Sequence, residues 1–156
     1  MTPPAASPAP QDAGSDQPPR LPFWHMRPGP DGGSTIDRAF LDGFVRRVVS
    51  GNTAPVWMRR VEGRITGAWF TVLPVGWVGE WHESPEPQWV VPLSGRWFIE
   101  TRDGRRVEMG PGDIHWGADI DTAGRHGHVS GQIGDEPCVQ LLVQFARDAP
   151  DVGARD

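Results

Sequence analysis

Acid-base or metal chemistry in this chain must come from five histidines and the carboxylates. The sequence contains no Lys and no Tyr, which excludes a lysine Schiff base and a tyrosine general acid. The histidines are His25, His82, His115, His126 and His128. Cys138 is the single cysteine, so no intrachain disulfide and no Cys-based zinc or redox motif can be assembled. Its place in the apolar run PCVQLLVQF reads as a buried thiol rather than a nucleophile.

The most informative stretch is GEWHESPEPQWVVPLSG, from Gly79 to Gly95. Side chains alternate along a strand, so Glu80, His82 and Ser84 are expected on one face, with Trp81 and Glu83 on the other. Pro85 and Pro87 break the run, and Gln88 and Val90 then share a face of the next strand. Pairing of the two strands would point His82 and Gln88 into the same space. His25, between Trp24 and Met26, reads as a packed or solvated side chain. His115 in DIHWG follows a turn, and its direction is open. Asp119 and Asp121 read as turn residues.

The elements that must hold these residues are short. Residues 1–20, dense in Pro, Ala and Ser, lack the apolar content to offset the entropy of ordering and are expected to be a disordered tail. Residues 21–54 are expected to form an N-terminal arm. Within it, Ile36, Phe40, Phe44 and Val48 recur at helical spacing, predicting a short helix or an irregular segment. Over 55–147 the chain becomes a series of Val-, Trp- and Phe-rich runs separated by Gly, Pro and Asp turns. Such spacing predicts an all-β sandwich or barrel. Residues 148–156 are expected to be a flexible C-terminal tail. Most of the eight tryptophans fall in the strand region, as core or as pocket wall.

Fifteen basic and twenty acidic residues give a net charge of −5, with Arg pairs scattered among acids, which disfavours nucleic acid as a partner. No signal peptide and no apolar stretch long enough to span a membrane are present, so a cytoplasmic location is expected.

Gly76, His82, Ser84, Gln88 and Gly95 resemble the first motif of the cupin superfamily, Gly-x5-His-x-His-x3-Glu-x6-Gly. Both glycines and the first histidine match, while Ser84 and Gln88 stand where the family has metal ligands. GPGDIHWGADIDTAGRHGHVSG is similar to the second motif through Pro111-Gly112-Asp113 and His128. His126 is the rival for that histidine; His128 is preferred because it begins HVSGQIG and shares a face with Ser130 and Gln132. The resemblance spans about residues 65–146. It implies a single-domain, all-β cupin-type β-barrel (a double-stranded, jelly-roll-like β-helix) and a homodimer.

Two chemistries follow from that resemblance. His82 and His128 with Gln88 and Glu80 could hold one divalent metal ion (Fe, Ni, Mn or Zn), although the amide of Gln88 is a poorer ligand than a carboxylate. Alternatively, His82 and His128 divide the acid and base roles of a proton transfer near neutral pH. Gln88, Ser130 and Gln132 would then hold substrate oxygens, Trp81 would contact substrate, and Arg96 would bind a carboxylate if it points inward. The expected function is isomerisation, dehydration or cyclisation of a small metabolite. A metal-dependent dioxygenase and a non-catalytic ligand-binding cupin are the alternatives.

Overall fold

The computed structural model describes residues 16–153, and the first fifteen residues of the expected tail lie outside them. Eleven strands and one short 3-10 turn are present, with no α-helix among the described residues. In chain order the strands are β1 (Leu21–Pro28), β2 (Ser34–Leu41), β3 (Val45–Arg47), β4 (Val56–Met58), β5 (Ile65–Leu73) and β6 (Gln88–Ser94). They are followed by β7 (Arg96–Thr101), β8 (Arg106–Met109), β9 (His115–Gly117), β10 (His128–Ile133) and β11 (Cys138–Phe145). The all-β expectation therefore holds, and β4 to β11 fall within the Val-, Trp- and Phe-rich region over 55–147.

Two segments differ from expectation. The arm is not helical: β1 and β2 form an antiparallel hairpin with Phe23 opposite Ala39 and Met26 opposite Ile36. A spacing of four residues satisfies period two as well as a helical turn, so Ile36 and Phe40 could not separate the two. The run WVGEWH is not a continuous strand either. Val78 bridges Gly131 and His82 bridges His128, leaving an irregular segment beside β10.

Two layers enclose the core. One is a six-stranded sheet in the order β2-β1-β9-β6-β11-β5, and the other a three-stranded sheet in the order β10-β7-β8; β3 and β4 pair separately. Because β2 and β5 remain as edges, the sheets do not close into a barrel. Between the layers lie Met26, Ile36, Val90 and Cys138 from the larger sheet and Trp97, Ile99, Val107 and Met109 from the smaller one, all buried. A second apolar cluster, Phe23, Trp89, Trp116 and Phe145, covers the opposite face of the six-stranded sheet. Ala149 and Val152 pack on it, so residues 149–152 are docked where a free tail was expected, while residues 154–156 of that tail lie outside the described residues. No described helix is long and apolar enough to cross a membrane.

Candidate functional site

The inner face of β10 carries His128, Ser130 and Gln132, all buried, as alternation requires. Opposite them run the irregular segment around His82 and the loop 118–127. Three pairs of contacts fasten these stretches together. His82 and His128 exchange both backbone hydrogen bonds, each 2.8 Å. Glu83 Oε1 accepts from the Thr122 N–H at 2.8 Å and from its hydroxyl at 2.6 Å. Asp119 Oδ1 accepts from the Ser84 N–H at 3.0 Å and from its hydroxyl at 2.7 Å.

Gly127 makes this closure possible. Its φ of 58° lies in the left-handed region, and a Cβ there would come within 2.1 Å of the His82 carbonyl oxygen. Its N–H donates to Thr122 Oγ1 at 3.1 Å, and its carbonyl accepts from the Ser34 hydroxyl of β2. Asp121 and Arg125, with φ of 58° and 53°, absorb the remaining curvature of the loop.

The fastened loop delivers Asp119, fully buried, to His128, where its Oδ2 accepts from Nδ1 at 2.6 Å. A carboxylate only accepts, so it places the His128 proton on Nδ1 and leaves the lone pair on Nε2. The His82 ring lies against that of His128, with centroids 4.5 Å apart and the planes tilted by 52°. Its Nδ1 donates to the Glu80 carbonyl at 2.6 Å, giving it the same tautomer. Neither Nε2 has a hydrogen-bond partner among the described residues. From solvent inward the order is therefore exposed His82, buried His128 and buried Asp119.

His115 lies behind this line, with Nδ1 donating to the Trp24 carbonyl at 3.2 Å and its ring edge-on to Trp97. Burial, reinforced by His128, pushes its pKa down to about 3, so it is a neutral imidazole at ordinary pH. A Cβ at Gly117 would sit 2.9 Å from Ser84 Oγ and 3.0 Å from His115 Nε2, which shows how closely these groups pack. Burial also pushes the Cys138 thiol up, in keeping with an inert packed side chain.

Several expected ligands have other partners. Gln132 donates through Nε2 to the carbonyls of Ile133, Gly134 and Glu136 and accepts from the Gly76 N–H, so its amide braces two turns. Gln88 Oε1 accepts from Gln144 Nε2 at 3.1 Å across the ladder. Arg96 is exposed and pairs with Glu108 at 3.6 Å, because Trp97 and Ile99, not Phe98 and Glu100, take the inner face of β7. The Trp81 ring lies under the Arg102 guanidinium, 4.4 Å away. Glu80 is exposed and offers His82 its carbonyl rather than its carboxylate. Ser130 remains on the inner face beside His128, and its carbonyl accepts from the Gly79 N–H. His126 is exposed in the loop and leaves the paired position to His128.

As a metal centre, the donor set is short. Among the described residues no group of three His, Cys, Asp or Glu side chains is arranged to hold an ion. Two imidazole Nε2 atoms are without hydrogen-bond partners among the described residues, and the amide oxygen meant to join them is bonded to Gln144. Asp119 is the residue that sequence reasoning missed, having been read as a turn former. The available signal was its type: an acid in the same loop, nine residues before a strand-initiating histidine. Comparison with known proteins adds no relative: no family model matches the chain, and no curated protein matches it.

Proposed function

We propose that this chain is a small-molecule enzyme of cupin type that moves protons through His128 and His82 in an isomerisation, dehydration or cyclisation. The observation that carries this reading is the 2.6 Å bond from His128 to a fully buried Asp119, with the His82 ring tilted against His128 at 4.5 Å between centroids. His128 Nε2 is the base, taking a proton from a carbon next to a carbonyl. The carboxylate of Asp119 then faces the imidazolium and stabilises it, as a buried acid does in a His-Asp pair. His82, at the solvent side, returns a proton to the substrate or to water. No step is assigned to a metal, since among the described residues no third His, Cys, Asp or Glu side chain joins the two histidines.

The test is solvent deuterium exchange. Small ketones, hydroxyketones and keto acids are incubated with the protein in deuterated water, and incorporation beside the carbonyl is followed by proton NMR. Exchange is expected to fall by about a hundredfold or more in His128→Ala and in His82→Ala. Asp119→Asn, which keeps the size but not the charge, should fall nearly as far. Absence of exchange across the panel, or undiminished exchange in both histidine variants, would sink the reading. Near-stoichiometric metal in purified protein that disappears in His82→Ala would redirect it toward metal-assisted chemistry. The homodimer implied by the resemblance would find an unpaired edge at β5, where Phe70 is 76 % exposed.

A further inference from the structure

A larger space lies on the other face of the six-stranded sheet, away from the histidines. Its volume is about 960 Å³, and Trp89 and Val91 of β6 and Val143 and Phe145 of β11 line it. The size lies within the span of small-molecule sites, roughly 300–1,000 Å³. Its apolar character follows from the sequence: QWVVPLS and CVQLLVQF place large apolar groups on both faces, as strands covered on two sides do. Cover on the outer face is incomplete. The end of β2, residues 59–62 and the docked C-terminal segment form walls around the apolar floor, but do not fill the space between them.

Three arginines and three acids line the wall, but they are not matched pair by pair, and Arg20 lies over the Phe40 ring. Arg59 and Arg60 line the cavity, and among the described residues neither guanidinium has an ion pair, a hydrogen bond or an aromatic ring. Of the carboxylates there, Asp151 is held by His25 at 2.8 Å and Asp42 has its own partner, leaving only Glu62 unpaired. Two free guanidiniums beside an apolar floor form a cationic rim on a hydrophobic recess. We infer that this cavity binds an amphipathic organic anion, its apolar body on Trp89, Val91, Val143 and Phe145 and its carboxylate held by Arg59 and Arg60. The guanidinium fork suits a carboxylate, and hydrophobic burial supplies the affinity. The cavity shares no residue with the histidine site and stands independently of the activity proposed for it.

Dansyl-undecanoate and its methyl ester are the probes, titrated by fluorescence against the full chain. Saturable binding of the acid is expected, with the ester roughly tenfold weaker or more, since it cannot form the charge-assisted bonds. Arg59→Ala combined with Arg60→Ala should reduce the acid to the level of the ester and leave the ester unchanged. Ala39→Trp, which fills the cavity from β2, should weaken both probes. Val143→Phe serves as the alternative filling variant if circular dichroism shows the first to be misfolded. Lack of saturable binding, equal affinity for acid and ester, or unchanged binding in the double arginine variant would overturn the inference. So would binding that emerges only after deletion of residues 1–15, or only in a monomeric Phe70→Asp variant. Those results would assign the cavity to the chain's own N-terminal segment or to a second copy.

Discussion

The histidine cluster and the outer cavity, on the two sides of the six-stranded sheet, are built in contrasting ways. Around the histidines, Asp119, Ser84, Glu83 and Thr122 saturate one another with hydrogen bonds, and the backbone at Gly127 leaves no room for a Cβ. On the outer face, apolar side chains border about 960 Å³ of open space, and two arginines have no partner among the described residues. Fixing a tautomer requires an oriented, fully bonded acid behind the imidazole, so that region tolerates almost no change in shape. Receiving an apolar body requires area and a volume, with a charge at the rim for orientation. The outer face of the six-stranded sheet floors the cavity, while the histidines are carried by β10 of the smaller sheet and by the segments fastened to it.

An added methyl group should expose that contrast most strongly. Gly127→Ala drives a Cβ into the His82 carbonyl and imposes a left-handed φ on alanine, so a loss of about 2–4 kcal/mol is expected by denaturant unfolding. Ala39→Val, adding atoms toward open space in the outer cavity, should stay within about 0.5 kcal/mol of the parent. Equal costs would erase the distinction between a packed and an open recess.

Acid should separate the regions next. His115 has a folded pKa near 3 against an ordinary value of 6.5, so the unfolded chain binds the extra proton first. Its contribution to stability is complete above 6.5 and is lost as pH falls through the window from 6.5 to about 3. The slope is on the order of 1 kcal/mol per pH unit at most. His115→Gln, which cannot titrate, should flatten the stability profile in that window, measured by urea titration at several pH values. A profile unchanged by the substitution would mean that His115 is not held neutral inside the protein.

The smallest effect belongs to the latch of the outer face. The hydrogen bond from His25 holds the Asp151 carboxyl below its ordinary range, so its contribution is present above about 3.8 and is lost as pH falls below that value. The Asp151 side chain is 40 % exposed, and water screens the pair, so Asp151→Asn should cost less than about 1 kcal/mol. Hydrogen exchange should rise locally at 149–153, without a change at β10. Faster exchange at β10 as well would show that the two regions are not independent.

Local pattern made much of the layout legible. Turn residues and apolar runs gave the strands from β4 to β11, and period two placed His128, Ser130 and Gln132 together. The motif around His82 and the strand start at His128 brought the two histidines to one site. Beyond that, local pattern was ambiguous. RWFIET carries large apolar residues at both parities, so alternation could not say that Trp97 faces in and Arg96 out. Ile36 and Phe40 fit a helix and a strand equally, and the partner β1 resolved the choice.

The sequence by itself determined the all-β character and the excluded chemistries and pointed to the proximity of His82 and His128, because composition and alternation are properties of neighbouring residues. Only the tertiary structure decided that Asp119 stands behind His128, that Gln88 and Gln132 are bound to other parts of the chain, and that an apolar cavity opens on the outer face. A hydrogen bond across a loop closure and a space left between layers depend on where distant segments pack, which neighbouring residues do not specify.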